Sequence, residues 1–114
     1  MTKYRAQPIE VDGIRFASRR EARRYEALKL LVRAGEIVDL ELQPSWTFEV
    51  DGRPLVIRSA GYPNGRRVRY VADFAYQDLS GGYVVEDAKG MQTPAYKLKR
   101  ALMELHHGIV VREV

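Results

Sequence analysis

The sequence predicts a mixed α/β fold in which two helices pack on a mostly antiparallel sheet. Three observations lead there. Two segments carry an apolar stripe at helical spacing behind a capping residue: "SRREARRYEALKLLVRAGE" from Ser18 and "TPAYKLKRALMELHH" from Thr93. Between them lie alternating apolar runs separated by turn signals such as Asp51-Gly52 and "DLSGG". The chain order is helix, three or four antiparallel strands, helix, strand.

Each element has its own warrant. "VDGIRF" (11–16) reads as a short strand or hairpin edge turning at Asp12-Gly13. The first helix is expected over 19–34. Ser18 is its N-cap, Glu21 completes a capping box, and Gly35 stops it. Tyr25, Leu28 and Val32, with Ala22 and Leu31 alongside, form its inward stripe, and Glu21 lies one turn before Tyr25 on that face. Leu40 and Leu42 alternate, as do Trp46, Phe48 and Val50, and "PLVI" is a return strand. Pro44 argues against a central strand at that point. The stretch 58–66 reads as a loop, 67–77 as one long strand, 78–82 as a turn and 83–89 as the next strand. Thr93 caps the second helix, Pro94 occupies its first position, and Leu98, Ala101, Leu102 and Leu105 make its core stripe. "GIVVREV" closes the chain as a strand.

Composition bounds the function classes. The 114 residues, 46% of them hydrophobic, suit a single domain spanning 1–114. There is no cysteine, which excludes disulfides and thiolate metal sites. No apolar run approaches the roughly 20 residues that cross a bilayer. Met1-Thr2-Lys3-Tyr4 lacks the apolar core of a signal peptide, so a cytoplasmic protein is expected. The net charge is +4 and the pI about 9.5. Arginines cluster at Arg15, Arg19, Arg20, Arg23 and Arg24 and again at Arg66, Arg67 and Arg69, and Lys97, Lys99 and Arg100 lie together on the second helix. Such clusters suit either a solvated face or phosphate contact.

The chemistry centres on "VVEDAKG" (84–90), where three charges interrupt an apolar strand. A hairpin turning near Ser80 sets Asp73 opposite Asp87. Facing side chains in an antiparallel pair lie about 4.5–5.5 Å apart, so two carboxylates there need a compensating charge. Lys89 is one, on the same face as Asp87 by alternation; Glu86 points the other way. A divalent cation is the other, since Mg²⁺ prefers hard oxygen ligands. Glu21 could supply a third carboxylate from the inward face of the first helix, or serve only as the capping-box residue. The bland reading of Asp87 with Lys89 is a surface ion pair, worth little. His106 and His107 fall at the end of the second helix, where a helix C-terminus favours positive charge.

At these residues the sequence resembles the PD-(D/E)XK nuclease superfamily. Asp73 in "YVADF", Asp87-Ala88-Lys89 in "VVEDAKG" and Glu21 in "SRREARRY" follow its pattern of an acid, an acid-x-lysine, and an acid from a preceding helix. Almost the whole chain, through "VDGIRFASRREARRYEALKLL", "GEIVDLELQP", "ADF" and "VVEDAKG", resembles a family of small phage and bacterial endonuclease-like proteins, akin to Holliday-junction resolvases. Ala72 stands where the superfamily's name has proline, and Glu86 beside Asp87 leaves the motif acid open by one residue. The resemblance implies a restriction-endonuclease-like αβββαβ core and a DNA endonuclease, acting on branched DNA and often dimeric. Mg²⁺, or Mn²⁺ in its place, would be held by Glu21, Asp73 and Asp87, with Lys89 catalytic and Glu86 supporting them from behind. It also implies a bacterial or phage-encoded protein of the cytoplasm.

Arg19, Arg20, Arg23, Gln92, Lys97 and Arg100 are the candidate DNA contacts, with solvated helix faces as the competing reading. Trp46 and Tyr70 read as packing residues rather than base-stacking platforms. Two rivals to the nuclease stand beside it: a nucleic-acid-binding module without catalysis, and an assembly or partner-binding protein on the same fold.

Overall fold

The computed structural model describes residues 7–88 and 92–114. The first hairpin pairs β1 (Ile9–Val11) with β2 (Ile14–Phe16). Asp12 and Gly13 between them both take positive φ, 54° and 76°, as a two-residue hairpin turn demands. Helix α1 (Arg19–Arg33) follows, and the Ser18 hydroxyl accepts a hydrogen bond from the Glu21 amide at 3.2 Å. The helix buries Glu21, Ala22, Tyr25 and Leu28, whereas Val32 is 41% exposed, so its inward stripe stops a turn short of the predicted one.

Nine short strands come next or close the chain around a second helix: β3 (Ile37–Leu42), β4 (Ser45–Thr47), β5 (Glu49–Val50), β6 (Arg53–Pro54), β7 (Val56–Ser59), β8 (Tyr62–Arg67), β9 (Arg69–Val71), β10 (Phe74–Asp78) and β11 (Tyr83–Asp87). Helix α2 (Pro94–Leu102) runs on into a wider π turn, Met103–His107, and β12 (Arg112–Glu113) is the last strand. The central sheet has the order β12-β11-β10-β3. β3, β10 and β11 are antiparallel, and β12 joins β11 in parallel. Through this sheet the chain therefore reads α1, β3, β10, β11, α2, β12: a mixed, mostly antiparallel sheet with two helices.

Alternation along β10 and β11 divides the interior into two cores. Phe74, Tyr76 and Val84 pack with Tyr25 and Leu28 of α1. Ala75 and Val85 pack with Tyr70, with Tyr96 of α2 and with Met103. Leu28 and Phe74 are wholly buried, a burial that contributes about 1.5–3 kcal/mol for each side chain.

Three sequence expectations are corrected. The segment expected as a loop over 58–66 is mostly the β7–β8 hairpin. Its polar composition hid it, because strand pairing uses backbone groups and needs no apolar pattern. Gly65 permits the close pairing: a Cβ there would lie 3.1 Å from the Val56 Cβ. The expected long strand 67–77 is broken between β9 and β10 at Ala72-Asp73. Its partner breaks at the same place, between β3 and β4, where Pro44 has no amide to donate. The Ala72 amide still donates to the Pro44 carbonyl, and the Gln43 amide to the Asp73 carbonyl, both at 3.0 Å, so the register runs through the break. On α2, Leu98 and Leu105 are 64% and 85% exposed, while Tyr96 and Met103 are buried. Of the expected stripe, Leu102 does pack against the core. Tyr96, whose hydroxyl reaches Glu113, turns its own face inward in place of Leu98, and the π turn carries Leu105 away from the core.

Candidate functional site

Asp73 and Asp87 meet where β10 begins and β11 ends. The pairing of Phe74 with Glu86 extends by one step to set Asp73 beside Asp87, as the sequence predicts. The two residues interlock. The Asp73 amide donates to Oδ1 of Asp87 at 3.0 Å, and the Ala88 amide donates to Oδ2 of Asp73 at 2.7 Å. Asp73 sits in the strand break yet keeps its backbone bonds to both neighbours: its carbonyl accepts from the Gln43 amide at 3.0 Å, and its amide is shared between the Asp87 carboxylate and the Glu86 carbonyl at 3.1 Å.

The burial of the two acids differs. Asp87 is fully buried, whereas Asp73 is partly exposed. The Tyr70 hydroxyl donates to Oδ2 of Asp87, so both oxygens of that carboxylate hold a donor. A buried carboxylate is tolerated only when supplied in this way. Among the described residues, no donor reaches Oδ1 of Asp73.

Glu86 and Asp87 point to opposite faces, in keeping with strand alternation. On the α1 face, Arg24 closes on fully buried Glu86 with two charge-assisted bonds, Nε to Oε1 at 2.7 Å and a terminal nitrogen to Oε2 at 2.6 Å. The Tyr76 hydroxyl donates to Oε2 as well. Burial first, and then Glu86, push the Tyr76 phenol above its ordinary range. Glu86 is thus the centre of its own network, behind the sheet from Asp87.

Glu21 is buried at the start of α1, and its amide holds the helix cap. Among the described residues, no group of three or more His, Asp or Glu side chains is arranged to hold a metal. Lys89, the expected catalytic lysine, lies outside the described residues.

The expected DNA contacts separate into two groups. Arg19, Arg20, Arg23 and Lys97 are exposed. Gln92 and Arg100 are instead turned to Glu113 of β12: the Gln92 amide donates to its carboxylate, and Arg100 pairs with it at 2.6 Å while stacking on Tyr96. Helical spacing places Arg100 opposite the expected leucine stripe, and the inward turn of the Tyr96 face moves it to a half-buried position.

Tyr70, Tyr96, Arg24 and Glu113 are the polar residues that sequence reasoning missed. Burial first raises the Tyr96 phenol, and the charges of Asp87 and Glu113 raise it further, against the lowering influence of Arg100. The only signal for Tyr70 was a tyrosine three residues before an acid that interrupts an apolar strand. A groove lined by Arg69, Tyr70, Tyr96, Thr93 and Lys99 opens over this side of the sheet.

The family described as "Protein of unknown function (DUF1064)" matches residues 1–113. The chain belongs to that family. Neither the curated proteins nor the solved structures offer a match to this DUF1064 chain. Among its described residues, no helix is long and apolar enough to cross a membrane.

Proposed function

We propose that the chain is a metal-dependent DNA endonuclease of the PD-(D/E)XK type. The observation that carries this reading is the interlocked pair Asp73 and Asp87, set side by side across two strands with Lys89 two residues beyond. The chain order α1, β3, β10, β11, α2, β12 agrees with the αβββαβ core that this superfamily implies.

The donors suit the ion chemically. Mg²⁺ takes one or two carboxylates and completes its shell with water and substrate phosphate, so two acids suffice. Asp73 would bind through its open oxygen and Asp87 beside it, with Glu21 as a candidate third ligand. The ion, once bound, supplies positive charge to the phosphate and a water of lowered pKa. Tyr70 holds the Asp87 carboxylate in one orientation. The Asp73 amide fixes the spacing of the two acids. Lys89 would stabilise charge developing on the phosphate or orient the attacking water.

The test is cleavage of an end-labelled four-way junction and of a matched linear duplex, with Mg²⁺ and with EDTA. Metal-dependent cleavage of either, abolished by Asp73→Asn and Lys89→Ala, is the expected result. Folded protein that cuts neither substrate in Mg²⁺ or Mn²⁺ rejects the reading. Glu21→Gln tests that residue, because the cap bond from its amide to Ser18 is kept: a ligand role lowers metal-dependent cleavage and weakens the metal dependence itself.

A second reading rests on Asp87, whose two oxygens are already satisfied by Tyr70 and the Asp73 amide. In that reading the pair is a structural lock in a nucleic-acid-binding module without catalysis. DNA binding without cleavage, with Asp73→Asn changing stability alone, would select it.

A further inference from the structure

The longest acid-free stretch of the chain lies between Asp51 and Asp73, and it carries Arg53, Arg58, Arg66, Arg67 and Arg69. The whole chain has a net charge of +4, so without these five arginines the remainder is net −1. These five arginines form an acid-free positive run that starts in β6 and continues through the β7–β8 hairpin into β9.

The hairpin stands apart from the sheet. Among the described residues, β7 and β8 pair only with each other. Ile57 and Tyr62 are 58% and 47% exposed, so the hairpin buries little of its own surface. A two-stranded ribbon of this kind is marginal in water by itself. Arg66, Arg67 and Arg69 line a groove along it, with Lys99 of α2 on the far side. Among the described residues, none of these four cations has a carboxylate partner. Arg69 and Lys99 also line the groove over Tyr70 and Tyr96, so the two grooves share a wall. The positive track leads from the hairpin to the side of the sheet where Asp87 is buried.

We propose that the β7–β8 hairpin, through Arg66, Arg67 and Arg69 with Lys99, is a clamp for the phosphate backbone of duplex DNA. The nature of the ligand rests on the proposed function; the placement of the clamp rests on the charge and the grooves. Unpaired arginines on an exposed ribbon match a row of phosphates, each of which releases counterions on contact. Single-stranded nucleic acid is disfavoured, since its binding sites need open aromatic faces. The one aromatic ring on this hairpin, Tyr62, is covered by the Arg66 guanidinium at 5.4 Å from its centroid.

The experiment is fluorescence anisotropy with a labelled 20-base-pair duplex in EDTA, across a range of salt concentrations. The proteins compared are the wild type and the triple variant Arg66→Gln, Arg67→Gln, Arg69→Gln. The expected outcome is salt-dependent binding by the wild type. In the variant, the slope of log K against log salt should be shallower by about 2–3, at roughly 0.9 for each lost phosphate contact. The thermal melt should not change, because all three side chains are exposed. An unchanged affinity and slope in the variant overturns the proposal, as does a wild type with no salt-dependent affinity. Tighter binding of the single strand than of the duplex overturns it too. Salt-dependent duplex binding lost in the variant, from a protein that never cleaves, upholds the clamp and rejects the nuclease.

Discussion

Arg24 on α1 and Glu86 on β11, 62 residues apart in the chain, form a two-pronged ion pair in which the carboxylate is wholly buried. The pair ties the first helix to the centre of the sheet. Glu86 is the largest cause of the raised Arg24 pKa. Removing the guanidinium leaves a buried charge with only a phenol to serve it. Arg24→Ala should therefore cost about 3 kcal/mol in urea unfolding. The double variant Arg24→Met, Glu86→Leu should recover most of that loss, because replacing both charges removes the desolvation penalty. A single variant within 0.5 kcal/mol or so of wild type would show that the pair does not bear on stability.

Tyr70 donates to Asp87 beside the Asp73 amide. Tyr70→Phe keeps the ring packed against Trp46, whose centroid is 6.2 Å away, and deletes only the hydroxyl. The expected loss is about 1–3 kcal/mol, the cost of leaving a buried acceptor unmet. In the proposed nuclease the same variant should lower kcat with little change in KM, since Tyr70 positions Asp87 rather than touching substrate. Equal effects on both constants would point to disturbed binding instead.

The face of α2 can be checked by two truncations. Met103 is wholly buried and Leu105 is 85% exposed. Met103→Ala should cost about 2–5 kcal/mol, and Leu105→Ala less than about 0.5 kcal/mol. The reverse ranking in denaturant titrations would restore the leucine stripe that the sequence predicts.

Acid should loosen the β10–β11 turn. The Ser80 hydroxyl, then the Gly82 and Ser80 amides, hold the Asp78 carboxyl below its ordinary range. A carboxyl with a depressed folded pKa adds stability above its unfolded value, about 3.9, and loses it as pH falls through the folded value. Asp78→Asn should thus melt below wild type at about pH 6 and converge with it as the pH falls through the depressed folded value. Parallel melting curves across that range would remove the turn as a source of acid sensitivity.

The sequence made the central architecture legible because its signals were local. Ser18, Thr93 and Pro94 start the helices, and Asp12-Gly13 closes the first hairpin, each by chemistry confined to a few residues. The adjacency of Asp73 and Asp87 was legible too, since a short turn around Ser80 fixes the register of its strands. What escaped was settled at a distance. The face of α2 depends on Glu113, the strand break at Asp73 on Pro44, and the partner of Glu86 on a helix far back in the chain. The β7–β8 hairpin escaped for another reason: its residues bury almost nothing, so no apolar rhythm marks them.

Glu86 and Asp87 are neighbours, yet each is spoken for by a different layer, one by Arg24 and Tyr76 and the other by Tyr70 and the Asp73 amide. A slip of β11 by a single residue would exchange the faces of both acids at once. Asp87 would then face Arg24 and Tyr76, and Glu86 would face Tyr70, each with a side chain of the wrong length for the donors it meets. Two adjacent charges that look costly in a strand thereby act as a keyed fit, admitting one alignment of the sheet and rejecting the next.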